Sequence, residues 1–144
     1  MIRDGKRPHP TVKAPPEPFD KPISYTDGLS LRITGIKQGK VTAQGPGDLP
    51  GQPTTTFSVT LKNASPKPVV LNQVVVTATY GTPAQLARPV YDDTTQDFSG
   101  TVRKGQSAKA VYVFSVPTAD LGNVTVLVDF DGLHAAATFR GAAK

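Results

Sequence analysis

The sequence predicts an all-β domain, an antiparallel β-sandwich carrying an extended Pro-rich N-terminal tail. Three observations predict it. Val and Thr dominate from Gly28 onward, and both are stiff at the first side-chain torsion and pack well on a pleated sheet. The 13 Gly and 14 Pro fall largely between the Val/Thr runs, where they punctuate turns. Those runs are short, follow a period of two, and leave no room for crossover helices.

Residues 1–27 stand apart. They hold six Pro (Pro8, Pro10, Pro15, Pro16, Pro18 and Pro22) among mixed charges and few large apolar side chains. Pro fixes φ and donates no backbone hydrogen bond, so this stretch is expected to be an extended tail or linker. It is not a signal peptide, because no apolar central region follows its basic residues. On this reading any export signal or anchor would lie upstream of Met1, and the sandwich occupies 28–144.

Within 28–144, Leu29, Leu31 and Ile33 alternate with Ser30, Arg32 and Thr34, the pattern of a half-buried strand. Ile36 to Ala43 extends it past a glycine, and Gln44 to Pro53 is a Gly/Pro-rich loop. Phe57, Val59 and Leu61 then share one face of a strand over Thr54 to Asn63, ended by the turn Asn63-Ala64-Ser65-Pro66. Val69 to Tyr80 reads as one long central strand, its apolar run nearly continuous. A connection follows over Gly81 to Pro89, with a single helical turn expected at Ala84 to Ala87, then short strands at Pro89 to Tyr91 and Phe98 to Val102. Ala110, Tyr112, Phe114 and Val116 share a face before Pro117 stops their strand. Val124, Val126, Val128 and Phe130 form the next inner face. Asp131-Gly132 is a two-residue hairpin signal, and Leu133, Ala135, Ala137 and Phe139 return beside it.

Eight or nine strands in about 115 residues make an immunoglobulin-like antiparallel β-sandwich the natural architecture. The Cys and Trp of an antibody domain are absent, so the likeness is to the architecture alone. A domain of this size buries roughly 65% of its unfolded surface and needs no staples.

Composition excludes a good deal of chemistry. There is no Cys, so no disulfide, zinc-thiolate site, iron–sulfur cluster or cysteine nucleophile is available. The single Met is Met1, which removes a Met-based copper site. No apolar run approaches the ~18 residues that span a membrane, so the chain as given is expected to be soluble. The net charge of +5 comes from scattered Lys and Arg, the longest basic run in the domain being Arg103-Lys104. A nucleic-acid footprint requires clustered charge, so no nucleic-acid partner is expected.

Three segments resemble a known family. Thr56 to Pro66, "TFSVTLKNASP", is similar to the strand and N-x-S segment of a bacterial family of immunoglobulin-like extracytoplasmic domains of unknown function. Gly105 to Pro117, "GQSAKAVYVFSVP", resembles that family's G-(x)n-F-x-V-P signature. Val124 to Gly141 resembles the closing hairpin of its actinobacterial branch. The likeness covers Tyr25 to Gly141. It implies a non-enzymatic module outside the cytoplasmic membrane, following a membrane anchor or lipoprotein signal, on the cell surface or secreted. It carries over no functional residues.

Candidate sites are few. Asp92, Asp93 and Asp97 are the densest acidic group and suit a hard cation such as Ca²⁺. They lack D-x-D-x-D-G spacing and are read first as turn residues, so no metal or other cofactor is expected. His134 is expected on the outward face of the last strand, with Leu133 and Ala135 pointing inward, and His9 lies in the tail. Ser30, Ser58, Ser65, Ser99, Ser107 and Ser115 include no G-x-S-x-G elbow. Asn63-Ala64-Ser65 and Asn123-Val124-Thr125 match the glycosylation acceptor pattern but are read as turns. Tyr80 and Tyr112 follow the inner-face pattern and are read as core, with a stacking platform formed with Tyr91 as the alternative. The expected function is non-catalytic binding or a structural role through protein–protein contacts. Its rival is a structural subunit of a surface assembly, a pilus, sheath or virion, docking through its tail.

Overall fold

The computed structural model describes residues 15–40, 51–90, 95–130, 134 and 136–143. Among these are eleven strands: β1 (Ile23–Ser24), β2 (Leu29–Lys40), β3 (Pro53–Asn63), β4 (Val69–Val70), β5 (Val75–Tyr80), β6 (Gln85–Leu86), β7 (Arg88–Val90), β8 (Thr101–Val102), β9 (Ser107–Ser115), β10 (Val124–Asp129) and β11 (Ala137–Gly141). One short 3-10 turn, Thr118–Asp120, follows Pro117. No helix among the described residues is long and apolar enough to cross a membrane.

Period-two burial is strict where the sequence alternates. Thr55, Phe57, Val59, Leu61 and Asn63 of β3 are buried, as are Val124, Val126 and Val128 of β10. Facing rows of this kind must be covered, and two antiparallel sheets cover one another. The first has the order β1-β2-β3-β9-β7 and the second β11-β10-β5-β6. With β1 set aside, these are the A-B-E-D and G-F-C-C′ orders of an immunoglobulin sandwich. The predicted all-β sandwich is therefore the observed fold. Phe57 and Leu61 from one sheet and Val126 and Phe139 from the other are fully buried in the core between them.

The predicted boundary at Asp27 moves. Glu17 pairs in parallel with Phe139 of β11, and β1 pairs with β2 through Ile23–Leu31 and Ser24–Ser30. Phe19, Ile23 and Tyr25 are buried in the core. The segment from Glu17 to Asp27 is thus part of the sandwich, running first along β11 and then along β2. Its Pro residues bracket these contacts; Pro18 and Pro22 themselves are exposed.

Two further corrections concern strands. Val69 to Tyr80 is not one strand. It splits into β4 and β5 around Asn72-Gln73, and β4 leaves the second sheet to pair with β8 (Val69–Val102, Val70–Thr101). Leu71 N–H donates to Gly100 O at 2.7 Å, which fixes the break. Continuous hydrophobicity marks burial, not pairing, and cannot show where a strand changes partner. The helical turn expected at Ala84 to Ala87 is also absent. Gln85 and Leu86 form β6, and Ala87 N–H donates to Ala78 O at 2.7 Å. Pro89 sits in the edge strand β7, where its missing N–H costs no central ladder bond. The predicted Asp131-Gly132 turn lies outside the described residues.

The sheet edges carry charge or are short. β1 covers only Ser30 and Leu31 on β2, and Arg32, Lys37 and Lys40 are exposed further along. Such charges oppose edge-to-edge association. Gly28, at the entry to β2, has φ +109°, and a Cβ there would lie 2.7 Å from Ala64 O. Gly28→Ala combines left-handed strain with a backbone clash and is expected to cost about 2 kcal/mol. A fall in the urea midpoint at unchanged slope reads this out.

Candidate functional site

Asn63 ends β3 on the inward face, at 0% exposure. A buried amide must find partners, and this one finds four. Its Nδ2 donates to Lys67 O and Val102 O, each at 2.8 Å. Its Oδ1 accepts from Ser65 N–H at 2.9 Å and lies 2.6 Å from Ser65 Oγ. The main chain of Asn63 adds two bonds, to Gln106 O and from Gly105 N–H. The turn predicted at Asn63-Ala64-Ser65 is present, but its side chains also knot β3 to the β4 and β8 segments.

Beyond this knot a groove of about 680 Å³ opens at the rim of the sandwich. Lys67, Val69 and Val70 line it together with Asp129, Phe130 and His134. Asp27, Leu29 and Ser65 line it as well. Val70 is 53% exposed, and Asn72 and Gln73 are exposed at the mouth.

His134 is not the surface residue expected. Only 4% of it is exposed, and its Nε2 lies 2.6 Å from Asp27 Oδ2. Phe130 stacks on the imidazole at 5.1 Å, and Tyr25 meets it edge-on at 4.9 Å. His134 precedes β11, whose ladder with β10 begins at Ala137, so alternation read back from that ladder does not fix its face. The signal that could have located this pair was the apolar Tyr25 beside Asp27, in a stretch read as tail. The pair joins the β1–β2 turn to the segment between β10 and β11. Removing it is expected to show coupling: Asp27→Ala and His134→Ala together should cost about 1.5 kcal/mol less than their separate effects added. Denaturation of the four proteins measures this. Additivity within about 0.3 kcal/mol would mean that the bond contributes nothing.

A carboxylate–imidazole pair beside a serine invites comparison with nucleophilic chemistry, but the hydroxyl is committed elsewhere. Ser65 Oγ has one hydrogen, and its near acceptors are Asn63 Oδ1 and Lys67 O at 2.6 and 3.0 Å. A serine nucleophile must offer that hydrogen to a base. Here that hydrogen is directed within the Asn63–Lys67 turn.

Asp92, Asp93, Tyr91 and His9 lie outside the described residues. Asp97 is exposed, and among the described residues no three His, Cys, Asp or Glu are placed to hold a metal. Tyr112 is buried with its hydroxyl accepting from Phe98 N–H at 3.1 Å, as the core reading expected. Tyr80 is half-buried and lines a different groove of about 520 Å³ with Pro53, Arg88 and the 70%-exposed Leu86. Asn123 lies in a turn and donates to Thr82 Oγ1 at 3.1 Å.

No family model matches the chain, and no curated protein matches it. Among solved structures it is similar to an uncharacterized β-sandwich protein from Clostridium difficile 630, at 11% identity and a TM-score of 0.47, over 97% of this chain and 99% of that one.

Proposed function

We propose that the protein is a non-catalytic binding module that acts through protein–protein contacts outside the cytoplasm, held near a membrane by a segment other than the residues described. The observation that carries this reading is the rim groove, which the 53%-exposed Val70 lines with the exposed amides of Asn72 and Gln73 and the half-buried carboxylates of Asp27 and Asp129. Exposed apolar side chains within a concave, partly polar surface are a usual mark of contact sites. The resemblance of Thr56–Pro66, Gly105–Pro117 and Val124–Gly141 to a bacterial family of extracytoplasmic domains supports the compartment.

Photo-crosslinking in cells that naturally produce the protein tests it. The crosslinking residue is placed in turn at Val70, Leu86 and Lys37, three exposed positions on separate surfaces. A discrete protein adduct from at least one position, together with digestion by protease added outside intact cells, is the expected result. No adduct from any position overturns the binding role, and protection from external protease overturns the location.

A further inference from the structure

We infer that the rim groove takes an extended peptide segment of a partner protein, added as a strand beside β4, with a Lys or Arg next to a β-branched apolar residue. This rests on the binding reading above and gives it a partner chemistry. The first observation is topological. β4 pairs with β8 on one side, and Lys67, Pro68, Val69 and Val70 line the groove while Thr101 and Val102 do not. The groove therefore lies along the edge of β4 that has no ladder partner among the described residues. This edge presents the backbone groups of Val70 and the carbonyl of Pro68, which carries no N–H, and an extended peptide satisfies such groups where a compact ligand does not.

The second observation is the side chain at that edge. Val70 is 53% exposed, while its neighbours Val69 and Leu71 are buried at 6% and 0%. An apolar residue of the incoming strand would cover it. The third is charge. The chain carries +5 overall with His counted neutral, yet this groove sets the carboxylates of Asp27 and Asp129 against the ammonium of Lys67 and the His134 imidazole that bonds Asp27. Asp27 keeps a 33%-exposed side chain while bonded to His134, and the half-buried Asp129 lines the same groove as Val70. A local excess of acid on a basic protein selects a basic side chain and disfavours an acidic one. Asn72 and Gln73 at the mouth add amide groups suited to a peptide backbone.

Amide-shift titration of the isotopically labelled full chain tests the inference. The probe is the capped peptide Thr-Val-Lys-Val-Thr, with Thr-Val-Glu-Val-Thr as its counterpart. Saturable shifts at Val69, Val70, Asn72, Gln73 and Asp129 are expected with the first peptide. Affinity should fall about fivefold for Asp129→Asn, the loss of one partly exposed ion pair. The Glu peptide should bind more weakly still. No shift at millimolar probe, shifts confined to other residues, or equal binding of the two peptides overturns the inference. Lys13→Glu serves as a second arm. Tighter probe binding in that variant would reassign the groove to the chain's own N-terminal segment and overturn a partner peptide as its occupant. Crosslinked adducts at Leu86 or Lys37 without peptide shifts would retain the binding module and remove only this groove from it.

Discussion

Asn63→Ala is expected to destabilise the protein by about 4 kcal/mol, close to the upper end of what single substitutions do. The cost does not come from lost packing volume. It comes from what the amide leaves behind. Lys67 O and Val102 O lose a donor at 2.8 Å, and Ser65 N–H loses its acceptor at 2.9 Å. The bonds to Val102 O and from Ser65 N–H are buried, and each such group left unpaired costs about 1–3 kcal/mol, whereas Lys67 O is part-buried and loses less. Partial relief comes from Ser65 Oγ, which also lies 3.0 Å from Lys67 O and can donate there. Ser65→Ala should therefore cost less, about 1–2 kcal/mol, since Asn63 keeps both of its donor bonds. Asn63→Asp is the sharper control. It retains the acceptor oxygen but supplies no amide hydrogens to the two carbonyls, and it places a charge at a site with 0% exposure. Its loss should equal or exceed that of Ala. Urea denaturation measures all three, and thermal melting should show a fall of roughly 12 °C for Asn63→Ala. A loss below about 1 kcal/mol would show that the knot is solvated and that β4 and β8 are held by other contacts.

That same residue shows how far the sequence could be read. Phe57, Val59 and Leu61 set an inward parity, and Asn63 continues it, so a polar residue at a core position was legible as a hydrogen-bonded one. The strands from β9 to β11 were legible for the same reason: alternation is local, and each side chain reports its own face. What was not legible depends on contacts between distant segments. Val69 and Val75 look alike in sequence, but Val69 is buried against β8 while Val75 is 59% exposed on β5. The choice was made by Gly100 and Asn72, about 30 residues apart, through the Leu71–Gly100 and Gly100–Asn72 bonds. The candidate site suffered most. Its groove is built from separate chain segments, and the titratable pair in it spans Asp27 and His134. No periodicity within either segment announces the other.

The N-terminal segment is where composition misled, and Phe19→Ala exposes why. Six Pro and mixed charges describe how the backbone from 1 to 27 is constrained, but not what its few apolar side chains touch. Phe19 is 7% exposed, with its ring 5.6 Å from Phe57 and 6.3 Å from Phe139, stacked on both. Those two rings come from opposite sheets, so Phe19 closes the open side of the sandwich between β2 and β11. Truncation removes the aromatic contacts and leaves a cavity that neither sheet can shift to fill without breaking its own ladder. The expected cost is about 3.5 kcal/mol, within the range for buried Phe→Ala. Asp20→Ala, one residue on and exposed, should stay within about 0.5 kcal/mol of the parent. If both substitutions were silent, the segment would be an appended tail and the boundary at Asp27 would stand. A large loss for Phe19→Ala alone means that an extended, Pro-bracketed segment can be a core element without being a regular strand. Pro limits it to the isolated Glu17–Phe139 bridge and to β1, while Phe19 between them, Ile23 in β1 and Tyr25 after it are as buried as core strand residues.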